Sequence, residues 1–382
     1  MSSLKQKIIE KIRSEGPINF ETFMEMTLYY PCLGYYTKDS AKIGRTGDFY
    51  TSPHLHSIFG AMIGKQMMEM WELIGRPEIF HVVEMGAGMG YLAKDMLEYL
   101  SGSKSNDKRQ KDIFEHLKYT IVELNLAVKT KQQELLSEFM DKVNWISNLN
   151  ELESVTGCFL SNELLDAFPV RLVEMDNEIK EIYVSLNGDD FVEIKMPCTR
   201  EVEEYFREFG IELPKGFRTE ANLKIKSWLK EVSNKLFKGF VLTIDYGYPA
   251  EDYYIEDRNR GTLLCYHQHQ INENPYQNIG EQDLTAHVNF SSLKKWGDEL
   301  GLKTIGFCPQ GTYLVSLGID EVINEIYGDS PDFFEIAKIK GLILPQGMGE
   351  SHKVMVQYKG DGEPILRGFA LRNQKGKLEI YD

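Results

Sequence analysis

A chain of 382 residues, 42% of them hydrophobic, is long enough for a full core and more than one lobe. Acidic residues outnumber basic ones 58 to 43, and the net charge of −15 counts against bulk binding to DNA, RNA or an anionic membrane face. No window approaches the roughly 20 apolar residues of a membrane span, and five scattered cysteines with no C-x-x-C pair point to a reducing compartment without a disulfide framework.

The first residues, MSSLKQKIIEKIRSEG, carry acids and no long apolar core. They read as the first helix of the fold, not as a signal or transit peptide, and a cytoplasmic location is expected. Ile8, Ile9 and Ile12 mark one face of that helix, which Gly16-Pro17 ends. A second helix over 20–30 stops before Pro31. The stretch that follows is rich in Gly, Tyr and Thr, lacks a clean period and reads as an ordered functional loop. Within it, Asp48, Phe49 and Thr51 of GDFYTS are expected to form a lid over a ligand, the aromatic excluding water. Ser57 to Leu73 is an amphipathic helix whose Met stripe is read as core.

His81–Leu97, HVVEMGAGMGYLAKDML, is the most informative segment. It reads as a buried strand, an acidic residue (Glu84), a turn with Gly86, Gly88 and Gly90, and a helix. A dinucleotide fingerprint would place its third glycine at 91, which is Tyr91, and Glu84 would repel a pyrophosphate. S-adenosylmethionine (SAM) has no phosphate, and its sulfonium and ammonium are cationic, so a carboxylate at Glu84 suits it. Ala87 completes the turn. The next apolar run ends in Glu123, placed to accept the ribose hydroxyls, and Leu124 and Asn148 beyond the second and third strands join the expected cofactor-binding set.

Strands are expected near 80–84, 118–123, 143–146, 157–161 and 239–245, with helices between most of them, as a parallel αβα sandwich. The fourth run ends in Asn162, with Glu163 next and Asp166 three residues on; the fifth ends in Asp245. Residues 171–197 alternate like antiparallel strands, and helical stretches near 199–209 and 219–237 follow. A helix near 291–300 and strands at 302–307, 312–318, 352–358 and 365–371 complete the chain. The expected organisation is an N-terminal helical and lid lobe (1–60), a sheet domain in two parts (61–170 and 239–382), and an inserted substrate-binding subdomain (171–238). His287 is a candidate base or orienting partner. Cys265, His267 and His269 alternate, as do His54 and His56, but no full ligand set accompanies them and no metal is expected.

GYYTKDSAKIGRTGDFYTSP (34–53), VVEMGAGMGYLAKDML (82–97), FLSNELLDAFPV (159–170), LTIDYGYP (242–249), RGTLLCYHQHQINENPYQNIGEQDLTAHVNF (260–290) and ILPQGMGE (343–350) together resemble the MidA-like family of methyltransferases. The resemblance spans nearly the whole chain. It implies a Rossmann-like class I methyltransferase fold with antiparallel edge strands, SAM as donor and a protein acceptor, since its mitochondrial member acts on arginine in a respiratory complex I subunit. The family often has Glu after the TSP, where this chain has His54.

Arginine is a poor nucleophile because its guanidinium is protonated and delocalised, so carboxylates are needed to hold it in a fork. Glu163, Asp166, Asp245 and His287 are the catalytic candidates, with Asn162 beside the donor. Two alternatives stay open: a SAM-binding assembly factor without turnover, and a methyltransferase of small molecules. The Met-rich helix and the insertion each offer an interface, a homodimer among the outcomes.

Overall fold

The computed structural model describes residues 3–38, 52–102, 107–268, 270–328 and 332–380. Its centre is an eight-stranded sheet. Seven of the strands are β1 (Phe80–Met85), β2 (Leu117–Val122), β3 (Val143–Ile146), β4 (Val155–Asn162), β5 (Leu236–Tyr248), β6 (Lys303–Pro309) and β7 (His352–Lys359). They lie in the order β3-β2-β1-β4-β5-β7-β6, and a short strand, Val288–Asn289, pairs with the end of β5. β1 to β5 run parallel, whereas β7 is antiparallel to both β5 and β6. The five strands expected from apolar runs are therefore present, with the antiparallel pair at one edge.

The strands read as continuous apolar runs because helices cover both faces. On one face lie helix Ile58–Leu73 and helix Tyr91–Leu100, and Met62, Met67, Met68 and Met70 are buried there as core. On the other, helices Lys224–Lys235 and Phe290–Glu299 bring Trp228 and Trp296 against the sheet. The chain leaves β1 toward β2 on one side, while β4 lies on the other. That reversal opens a crevice beyond the carboxyl ends of β1 and β4, where ligands bind in such sheets.

Residues 171–197 form three antiparallel strands, Arg171–Met175, Ile179–Asn187 and Asp190–Pro197. The N-terminal segment joins them: Ile18–Asn19 pairs with Ile179–Asn187, and Ile8, Ile12, Phe20 and Phe23 share a core with Leu172, Ile182 and Val184. Arg171 ties the two together, donating to Glu21 at 3.0 Å and to Glu181 at 2.6 Å.

Three sequence expectations are corrected. The stretch 312–318 lies in a helix, Gln310–Leu317, because Pro309 stops the ladder and Gly318 closes the helix in a left-handed conformation. In 365–371 only a short 3-10 turn forms, Arg367–Phe369, with the Arg367 N–H bonded to Glu69 at 2.9 Å. The helix expected over 219–237 is cut at both ends, since Arg218–Ala221 pairs with Arg171–Met175 and β5 begins at Leu236. No described helix is long and apolar enough to cross a membrane.

Candidate active site

A cavity of about 370 Å³ occupies the crevice, within the range of small-molecule sites. Glu84 lies on its wall, 2% exposed, near the end of β1. Tyr119, on neighbouring β2, donates its hydroxyl to Glu84 Oε2 at 2.7 Å. Burial nevertheless pushes the Glu84 carboxyl up to about 7. Gly86, Gly88 and Gly90 then turn the chain at φ +75°, +52° and +87°, conformations L side chains rarely adopt. A Cβ on Gly86 would meet Leu164 Cδ1 at 2.9 Å. The backbone therefore runs close under the cavity, with Ala87 and Gly88 also lining it. Gly90 is not in the lining; it opens helix Tyr91–Leu100.

Glu123, Leu124 and Asn148 line the neighbouring wall, below the ends of β2 and β3. Glu123 accepts the Asn125 N–H at 2.7 Å, and burial raises its carboxyl above the ordinary value. Gln132, fully buried, holds this wall together. Its amide nitrogen donates to the Gly88 carbonyl at 2.7 Å and to Glu123 at 3.2 Å, and its oxygen accepts from Trp145 at 2.9 Å. Asn125 caps helix Leu126–Leu135 and donates to the carbonyls of Tyr36 and Lys38, tying the N-terminal segment to the sheet. Gln132→Leu strands three partners at once. It is expected to cost about 1–3 kcal/mol of stability and to weaken binding in the cavity. Chemical denaturation and calorimetry check the two effects.

Asn162 and Glu163 line the opposite wall. Glu163 holds φ +51°, a strained position for a residue with a side chain. Its carboxylate accepts from the Ser52 N–H at 3.3 Å, Asn162 Nδ2 at 3.1 Å and the Tyr246 hydroxyl at 3.2 Å, with His352 Nε2 at 3.6 Å. Behind it, Asp245 accepts the N–H groups of Leu164, Leu165 and Tyr246 at 3.2, 2.8 and 2.8 Å, so it fixes the turn that presents Glu163. Burial still pushes Asp245 up to about 7. Asp166 is 5% exposed, and its Oδ1 has no hydrogen-bond partner among the described residues. Burial and the nearby Asp245, Glu163 and Asp283 hold Asp166 well above the usual carboxylate range.

His287 does not line this cavity. Its ring stacks on Tyr246, 6.2 Å between centroids, and so stands one aromatic layer behind Glu163. Burial lowers it to about 4, leaving it neutral near pH 7. Asp48, Phe49 and Thr51 fall outside the described residues, as does His269.

Sequence reasoning missed several groups here. Asp283, almost fully buried, accepts from the Tyr36 hydroxyl at 2.8 Å, and Tyr36 stacks on Tyr29 at 5.5 Å. The Tyr29 hydroxyl donates to the Ala167 carbonyl at 3.0 Å. The repeated tyrosines and the QDLTAHV segment were visible signals. For Gln132 the one signal was its spacing from Val128, one helical turn away on the same buried face.

A sequence model of a family of S-adenosyl-L-methionine-dependent methyltransferases matches residues 62–308. The chain belongs to that family. A protein from Burkholderia thailandensis, crystallised with S-adenosyl-homocysteine, superposes with a TM-score of 0.87 at 30% identity, covering 98% of this chain and 96% of that one. A native structure of a protein of the same superfamily and organism gives 0.85 at 31% identity, with the same coverage. The donor is SAM. Mitochondrial protein arginine methyltransferase NDUFAF7 homologues are also similar: 27% identical in Caenorhabditis elegans over 85% of this chain and 78% of theirs, and 26% in Drosophila melanogaster over 94% and 85%. The expected cytoplasmic location is corrected by these relatives, which are mitochondrial proteins. The residues present suit a cationic donor without phosphate: a carboxylate at each of two strand ends, Glu84 buried and Glu123 partly so, and a glycine turn that admits a ligand against backbone.

Proposed function

We propose that this methyltransferase acts on arginine in a protein acceptor. The observation that carries the reading is the cluster of Glu163, which lines the donor cavity with its side chain 5% exposed, and the buried carboxylates Asp166 and Asp283 near it, with one Asp166 oxygen unpartnered among the described residues. Asp166, which burial holds well above the usual carboxylate range, is costly to ionise until a cation joins it. A guanidinium supplies both the charge and a planar fork of donors. Tyr29 and Tyr36 line the cavity and give it flat walls that suit a guanidinium plane, while Tyr246 holds Glu163 through its hydroxyl.

SAM supplies an electrophilic methyl group to whatever nucleophile is held in line with it. On this reading Glu84 holds the donor's ammonium and Glu123 its ribose hydroxyls, while Leu124 and Asn148 line the site. Glu163 receives the guanidinium and Asp166 completes the fork. Asp245 positions Glu163, and His287 orients Tyr246 from behind. The NDUFAF7 relatives are arginine methyltransferases by name, which supports the choice of acceptor. A respiratory-complex subunit is the candidate acceptor that the family resemblance suggests.

Labelled SAM incubated with the protein and an extract, followed by acid hydrolysis, tests the acceptor. Label in mono- or dimethylarginine, absent without the protein, is the expected result. Label confined to lysine, to nucleic acid or to small molecules sinks the arginine reading.

A further inference from the structure

A second cavity, of about 390 Å³, opens beyond the carboxyl end of β5. Its walls carry four cations, Arg258, Lys353, Arg372 and Lys377, against two carboxylates, Asp252 and Glu350. The local balance is thus opposite to that of the chain, whose net charge is −15.

How the cations are held matters more than their number. Elsewhere, half-buried arginines face carboxylates directly, as Arg218 does with both oxygens of Glu193 at 2.6 Å. Here Arg258 donates to the Asp252 carbonyl at 2.5 Å and lies 3.8 Å from the centroid of the Tyr248 ring. Lys353 is 6% exposed and donates to the Glu350 carbonyl, with its Nζ 3.9 Å from the Glu350 carboxylate. With the Gln374 amide turned end for end, which satisfies both of its ends, its oxygen would accept from Arg372 Nη2 at 2.7 Å and Nε at 2.8 Å. Lys377 stands 3.9 Å from Asp252. Carbonyl and amide oxygens orient a cation without cancelling its charge. An oxyanion entering the cavity would meet three cations already aimed and only weakly neutralised.

The cavity also adjoins the active site. Tyr248 in its wall lies two residues beyond Tyr246, the ring of His287 packs against both, and Lys353 pairs in register with Asp245. We propose that this cavity binds an oxyanion, a carboxylate or phosphoryl group, carried by the acceptor polypeptide near the arginine to be methylated. The second half of that statement rests on the protein-acceptor reading above.

The test is calorimetric titration of inorganic phosphate, and of two arginine-free peptides bearing glutamate or phosphoserine, at fixed ionic strength. The full chain is compared with Lys353→Gln and Arg372→Gln. A peptide that binds more tightly than phosphate, and about tenfold more weakly to each variant, is the expected result and identifies the group. Phosphate binding as tightly as both peptides assigns the site to a free anion and overturns the acceptor clause. Affinities that do not differ between wild type and Arg372→Gln, or no binding at all, overturn the site itself. Arg372 is exposed, so its variant folds even where Lys353→Gln does not. Unchanged S-adenosylhomocysteine binding reports that the fold is intact and keeps these outcomes separate from any failure of methyl transfer.

Discussion

Glu163→Gln is expected to slow methyl transfer by about a hundredfold to a thousandfold while S-adenosylhomocysteine affinity stays within about twofold. The substitution keeps the size of the side chain and one acceptor oxygen, so the contacts from Ser52, Asn162 and Tyr246 can largely persist. What it removes is the negative charge, on a side chain that is 5% exposed and whose backbone is held in a left-handed conformation. A strained, buried carboxylate is retained where the surroundings over-determine it, and the acceptor's positive charge is the group it lacks. Single-turnover rates with labelled donor, paired with calorimetry, separate chemistry from binding. Transfer within about threefold of wild type would remove Glu163 from the reaction. A loss confined to donor affinity would move it to the cofactor side.

The parts of this protein that the sequence made legible are those governed by local pattern. Val82, Val83 and the runs that became β2, β4 and β5 are apolar on both faces, and each ends where a polar or acidic residue meets the crevice. Gly86 and Gly88 declared the turn because few other residues take its conformation. What stayed hidden depended on distant partners. Asp283 matters because three-dimensional packing sets it near Asp166 and Tyr36, more than a hundred and more than two hundred residues away in sequence. Asp245 and Glu163 looked alike as strand-end acids. Only the folded chain distinguishes one saturated by backbone N–H groups from one facing the cavity. The run 312–318 has the composition of a strand, and what made it helical was the pair of breakers at Pro309 and Gly318 together with a buried Gln310 bonded to Leu342.

Donor affinity is expected to depend on pH through Glu84. Its carboxyl is raised from an ordinary 4.5 to about 7 by burial, against the lowering effect of the Tyr119 hydrogen bond. A raised acid favours the protonated form in the folded protein. Its contribution to stability is therefore fully present below pH 4.5 and is lost as pH rises through about 7. An ammonium-bearing ligand has the opposite preference, because it pairs with the ionised carboxylate. S-adenosylhomocysteine should accordingly bind more tightly as pH rises toward 7, by up to about tenfold per unit, and level off above it. Below that point binding should release a proton, seen as a heat that varies with the ionisation enthalpy of the buffer. Glu84→Gln should abolish the proton release from this site and weaken binding by about tenfold to a hundredfold at pH 8, the cost of losing one charge-assisted contact. Asp245 also titrates near 7 and remains in that variant, so a pH dependence that survives Glu84→Gln unchanged would assign the effect to Asp245 and leave Glu84 a structural acid. Tyr119→Phe sharpens the choice. Without the phenol, Glu84 should rise further, and the midpoint of the binding profile should move to higher pH only if Glu84 is the group that meets the donor.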